Sequence, residues 1–225
     1  MEENFPEIAE ILCPGDMVGY GARPSEVIEA ILANKKITAV TKGNWDHAIG
    51  GGGHDVDKFN LFAKESVKWH VNVLSDEIKT FLYQLPHTRT CLHTELNKTP
   101  ITTPIQIAII HGSPNYPLSE YILSGTEAQK ELFPFMELID VNILLLGHTH
   151  IPFIDKHPDK ELLIINPGSV GQPRDKDPRA SYAIIDLDNL KAKIIRVEYD
   201  IDTVYQQIVD AELPDFLGKR LYKGI

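Results

Sequence analysis

Only two of the 225 residues are cysteine, Cys13 and Cys91, so the chain can build neither a disulfide framework nor a Cys-rich zinc motif, and it suits a reducing compartment. Long apolar runs are missing too. Stretches such as Ile107–Ile110 and Ile143–Leu146 are far too short to span a bilayer. The opening Met-Glu-Glu-Asn-Phe-Pro carries no cationic or apolar signal, and a soluble, cytoplasmic protein with no membrane partner is expected. Basic residues are in the minority: 22 Lys and Arg stand against 32 Asp and Glu, a formal net charge of -10. A polyanion would be repelled, which argues against stable nucleic-acid binding. A small phosphorylated partner would need local positive charge, and bound metal ions are a natural source of it.

The rest of the composition is ordinary, with 43% hydrophobic and 24% charged residues, and the length suits one α/β domain over 1–225. Apolar, β-branched stretches bounded by turn residues predict strands at Ile8–Cys13, Ile37–Val40, Ile105–Ile110, Ile143–Leu146, Leu162–Ile165, Tyr182–Leu187 and Ile194–Val197. Helical patterns open at Pro24 and run over Phe59–Leu74. Another starts at the N-cap Ser75, and two more cover Thr126–Ile139, with a kink or split at Pro134, and Asp200–Ala211. Gly50–Gly53 reads as a flexible surface loop or a lid. The alternation predicts mixed sheets with helices on their outer faces. Oligomeric state stays open, a homo-oligomer included.

Four predicted strands run into a potential metal ligand: the first leads to Asp16, the second to Asn44, the third to His111 and the fourth to His148. Ligand sites of open α/β sheets lie beyond the carboxyl ends of strands, so these four side chains can converge. His148 and His150 in Gly147-His148-Thr149-His150 can face one side of a bend. Imidazoles with a carboxylate suit zinc, manganese or iron better than calcium or magnesium alone. Taken singly, each residue has a plainer reading. Gly-Asp and Gly-Asn are common turn dipeptides, and a histidine at a strand end is often just satisfied in the core. Their joint recurrence at one predicted edge is the signal.

As an ordered set, Gly15-Asp16, Gly43-Asn44-Trp45-Asp46, His111-Gly112-Ser113-Pro114, Gly147-His148-Thr149-His150 and Asn166-Pro167-Gly168-Ser169-Val170-Gly171-Gln172-Pro173-Arg174 resemble the calcineurin-like metallophosphoesterases, in particular their small bacterial and archaeal phosphodiesterase-like branch. The resemblance spans nearly the whole chain. It implies two mixed β-sheets packed as a sandwich with flanking helices, and one or two divalent cations (Mn, Fe, Zn or Ni). Asp16 would bridge the two, with Asn44, His111 and His148 completing one site and His150 belonging to the other. Catalysis would come from a metal-bound water, with Asn44 and His150 the best-placed side chains and Arg174 binding substrate.

Two departures from the family pattern matter. The family opens with a strand ending in Asp-x-His; none precedes Asp16, so the first strand, a helix and two ligands are expected to be missing from the chain as given, and the His111 site to be the more complete. Histidine usually follows Gly-Asn in its phosphomonoesterases. Trp45 stands here and has no useful proton to give, which points to phosphodiester or nucleotide-type substrates or to another donor, His47 or His54. Arg23, Lys42, Lys176 and Arg179 join Arg174 as candidate phosphate-binding cations. A non-catalytic member that binds metal and a nucleotide or protein is the alternative. A metallo-β-lactamase-type hydrolase also uses His-x-His, but Asp-His usually follows closely where Ile151-Pro152 stands here.

Overall fold

The computed structural model describes residues 8–51, 56–96 and 99–225. Its strands are β1 (Ile11–Cys13), β2 (Ile37–Val40), β3 (Thr88–Leu96), β4 (Thr99–Ile110), β5 (Ile143–Leu145), β6 (Phe153–Lys156), β7 (Leu163–Asn166), β8 (Ala180–Asp186) and β9 (Lys191–Val197). The helices are α1 (Pro24–Ala33), α2 (Asn44–Gly50), α3 (Leu61–Val73), α4 (Asp76–Gln84), α5 (Glu127–Lys130), α6 (Leu132–Leu138), α7 (Ile201–Asp210) and α8 (Asp215–Lys219).

Five strands form one mixed sheet in the order β3-β4-β5-β7-β6, in which β4, β5 and β7 run parallel. Successive side chains on a strand point to opposite faces, and this sheet sorts them accordingly. Ile107, Ile109, Ile143, Leu145, Leu163 and Ile165 pack on one side with Leu12 and Ala39 of the parallel pair β1-β2 and Ala183 and Ile185 of the antiparallel pair β8-β9. Ala108, Ile110, Leu144 and Ile164 face the other way, against Leu132 and Met136 of α6. Apolar residues on both faces explain why these strands read as unbroken hydrophobic runs. A third cluster joins α1, α2, α3 and α4 through Ile28, Ile49, Val67 and Leu82. The expected sandwich of sheets with outer helices is present, its second layer divided among the described residues into β1-β2 and β8-β9.

Local signals set most boundaries. Asn60 and Ser75 cap α3 and α4 through Ala63 N–H (3.0 Å) and Ile78 N–H (3.3 Å). The predicted Thr126–Ile139 helix is split at Glu131, which leaves Pro134 in the first turn of α6, where its missing N–H costs nothing. Strands β3 and β6 and helices α2 and α8 were not expected. Arg89, Thr90 and His93 break the apolar pattern of β3, while α2 and α8 are too short to show a helical period. The first strand starts at Ile11 rather than Ile8. Of the Gly50–Gly53 run, Gly52 and Gly53 lie outside the described residues, as does His54. No described helix is long and apolar enough to cross a membrane.

His70, fully buried on α3, hydrogen-bonds through Nδ1 to the Ser66 carbonyl at 2.7 Å. Burial pushes its imidazole down to about 4 from 6.5. The unfolded chain therefore takes up this proton first as pH falls. The stability His70 contributes is complete above about pH 6.5 and is lost toward pH 4, on the order of 3 kcal/mol at 1.36 kcal/mol per unit. Denaturant titrations should show His70→Gln losing about 2–3 kcal/mol less than the parent between pH 7 and 4. An unchanged pH slope would refute this.

Candidate metal centre

Parallel pairing brings the carboxyl ends of β4, β5 and β7 together, and the ladder continues past them: Gly147 N–H donates to the His111 carbonyl at 2.8 Å and Leu146 N–H to Ile165 at 2.8 Å. The two layers meet there, where His111 Nδ1 donates to the Pro14 carbonyl at 2.8 Å. In the neutral tautomer that a metal takes, that bond leaves the lone pair on Nε2 of His111. Around this nitrogen stand Asn44 Oδ1 at 3.1 Å, His148 Nδ1 at 3.2 Å and Asp16 Oδ2 at 3.2 Å. Asp16, His111 and His148 form a metal-capable cluster with donor atoms within 4.8 Å of one another. Ligands about 2.0–2.2 Å from one ion at tetrahedral to octahedral angles lie roughly 2.9–3.5 Å apart, so the three distances from His111 Nε2 fit a divalent cation.

Backbone conformation delivers these side chains. Asp16, His148 and His150 all have positive φ, at 55, 65 and 59°, a conformation non-glycine residues rarely adopt and one that gathers at functional sites. Gly43 is required beside them, because a Cβ there would lie 1.9 Å from Asp16 Oδ1. Asp16 Oδ1 accepts the Trp45 N–H at 2.9 Å at the start of α2. Asn166 closes the histidine bend from beneath: its Nδ2 donates to the Gly147 carbonyl at 2.7 Å and to Thr149 Oγ1 at 3.0 Å.

Electrostatics follow from burial and charge. Burial raises the Asp16 carboxyl, but the His111 charge and hydrogen bonds from His111 and Trp45 outweigh it and leave it below its ordinary value. Burial lowers His111, yet Asp16 holds it above. His148 is pushed down to about 4 by burial and by His111, and His150 to about 3 by burial and by Arg174. Both imidazoles are therefore neutral at pH 7, the form a metal takes.

His150 stands outside the tight cluster. Its Nδ1 donates to the Gln172 carbonyl at 2.7 Å, and it feels the Asp16 charge. Asp46 was not singled out as a site residue, although its motif was. Fully buried, it accepts the backbone N–H of Asp16 (2.7 Å), Met17 (3.0 Å) and Gly43 (2.9 Å), tying the two ligand-bearing loops together. Burial and the Asp16 charge push it up to about 7. The sequence signal was the aspartate three residues after Gly43, at the end of a helix-opening turn.

The cluster opens into a cleft of about 680 Å³ lined by Tyr20, Trp45, Phe59, Tyr121, His47 and Arg174 among others. Trp45 packs 4.1 Å from the Tyr20 ring and 5.0 Å from that of Phe59, and Tyr121 lies 4.2 Å from the His148 ring. Of the five candidate cations only Arg174 lines the cleft. Arg23 pairs with Glu26 and Arg179 with Asp177; Lys42 lies over Tyr83, and Lys176 turns at φ 71° where its N–H meets Gly224. The motif ending at Arg174 already sets it apart; charge alone does not, because the sequence does not show which way each cation faces.

A mixed-sheet sandwich carrying an Asp-Asn-His-His cluster at its strand ends defines a metallophosphoesterase-type scaffold. The model of the calcineurin-like phosphoesterase superfamily domain matches residues 2–190, and the chain belongs to that superfamily. It is 36% identical to an uncharacterized protein of Methanocaldococcus jannaschii, over 96% of this chain and 87% of that one. A probable metallophosphoesterase of the same organism is 37% identical over 42% of this chain and 43% of that one. Among solved structures, a metallophosphoesterase from Sphaerobacter thermophilus is 31% identical with a TM-score of 0.77, covering 99% of this chain and 92% of that one. A hypothetical protein from Pyrococcus horikoshii OT3 is 25% identical with a TM-score of 0.83, covering 99% and 90%.

Proposed function

We propose that the chain, acting as one domain over 1–225 in the cytoplasm, is a metal-dependent phosphodiesterase of small nucleotide-type substrates. The observation that carries this reading is the convergence of Asp16 Oδ2, Asn44 Oδ1 and His148 Nδ1 within 3.2 Å of His111 Nε2. These four would hold the first cation, and Asp16 with His150 a weaker second one. When bound, the cation supplies Lewis-acid charge and a water acidic enough to attack at neutral pH. Asn44 and His150 border the reacting phosphoryl group, Arg174 offers the substrate a positive charge on the cleft wall, and the walls of Tyr20, Trp45 and Phe59 suit a planar base or aryl group. Trp45, buried between two rings, has no acidic proton for a poor leaving group, which favours diesters; His47 also lines the cleft and can serve as donor.

Hydrolysis of bis(p-nitrophenyl) phosphate tests this. Activity should vanish with EDTA, return with Mn²⁺ and rise mainly with the first equivalent added, since the His111 group has the fuller donor set. A fully metal-loaded chain inert toward diesters and monoesters would leave the binding-only reading in its place. Two equally tight sites would refute the asymmetry.

A further inference from the structure

In a chain of net charge -10, two guanidinium groups gather over the ring of Tyr20, a residue of the cleft wall. Arg174 places Cζ 5.6 Å from the Tyr20 ring centroid, and Arg220, between α8 and the final turn, places its own 5.7 Å from the same ring. Arg174 donates through Nη2 to Tyr20 OH (3.2 Å) and through Nε and Nη2 to Gln172 Oε1 (3.2 and 2.9 Å). Arg220 donates through Nε to a main-chain oxygen of Ile225, the last residue of the sequence given, and lies 5.4 Å from the Phe216 ring. Among the described residues neither guanidinium meets an Asp or Glu side chain, whereas Arg179 and Arg196 each do.

Two like charges on one ring repel, and burial makes the repulsion dearer. Burial and the Arg174 charge both hold Arg220 below its ordinary value. The packing nonetheless enforces this proximity. Leu217 and Leu221, flanking Arg220, are buried in a cluster with Ile208 and Leu213 that includes Tyr20, so the carboxyl-terminal segment is pinned to the wall of the cleft. Tyr20 and Tyr121, which Arg220 senses electrostatically, both line that cleft. An oxyanion with two or more charges would relieve the repulsion and match the planar donor forks.

We propose that Arg174 and Arg220, braced on Tyr20, form an anion subsite for a second, terminal phosphate of the substrate. This deepens the phosphodiesterase reading and rests on it: the diester to be cleaved lies at the Asp16 cluster while the terminal phosphate is held at the arginines. The substrate class is then a short phosphodiester that ends in a phosphomonoester.

The dinucleotide TpT and its 5′-phosphorylated form pTpT separate the possibilities. Calorimetry on the EDTA-treated chain should show pTpT binding about tenfold tighter than TpT. Arg220→Gln should bring that ratio close to 1, and Arg220→Lys, which keeps the charge but not the fork, should retain part of it. Should Arg220→Gln fail to fold, the wild-type chain gives the readout: pTpT, and not TpT, should slow phenylglyoxal modification of Arg174 and Arg220. Equal affinities for the two dinucleotides, or no protection of Arg220, overturn the subsite. Manganese-loaded enzyme that cleaves neither dinucleotide while the binding ratio persists would instead remove the hydrolase reading alone.

Discussion

On the proposed function, Asp16→Asn should lower diester hydrolysis by on the order of 10³, while the fold survives. Asparagine is among the few residues that tolerate the positive φ of 55° at this position, and its amide oxygen can still accept the Trp45 N–H. What is lost is the negative charge facing His111 and shared with the neighbourhood of His150. Replacing an anionic ligand with a neutral one weakens cation binding and the charge stabilisation the cation provides. Several kcal/mol of that stabilisation, at 1.36 kcal/mol per tenfold, correspond to about three decades in rate. Steady-state kinetics with manganese in excess, beside a thermal melt of each protein, make the check. A variant retaining more than a tenth of the activity would remove Asp16 from the reacting centre.

Asp46→Ala should be the most destabilising single change near the site, at about 3 kcal/mol and roughly a 10 °C fall in melting temperature. Three effects compete. The substitution orphans the N–H groups of Asp16, Met17 and Gly43, each buried or partly so, at about 1–3 kcal/mol apiece. It also relieves the desolvation and like-charge penalty that pushes Asp46 up to about 7, which offsets part of the loss. Finally, the loops carrying Asp16 and Asn44 loosen, so manganese affinity should drop about 10- to 100-fold. The orphaned donors win because there are three of them and only one carboxylate repulsion to relieve. Differential scanning calorimetry and metal titration measure both consequences; a melting point within 2 °C of the parent would contradict the accounting.

Much of the candidate site was legible in advance because its polar side chains follow buried strands. The runs ending at Ile110 and Leu146 are apolar on both faces, so they announce themselves without any knowledge of the fold, and the polar residues just beyond them stand out. Asn44 was legible as a motif but not as the first residue of a helix, since seven residues are too few to show a period. Strand β3 stayed hidden because Arg89, Thr90 and His93 interrupt its apolar pattern.

By itself the sequence determined the buried strands, the ordered ligand motifs and the family, because side-chain chemistry and hydrophobic period are local properties of a chain. The resemblance grouped Asp16, Asn44, His111 and His148 and set His150 apart; only the tertiary structure gave the distances at which Asn44, His148 and Asp16 close on one nitrogen of His111. It placed Arg174, the arginine of the family motif, on the cleft wall and none of the four other candidate cations, made Asp46 the tie between two loops and carried Arg220 to Tyr20. Direction and distance between residues 30 to 200 positions apart depend on how layers pack, and no local pattern encodes that packing.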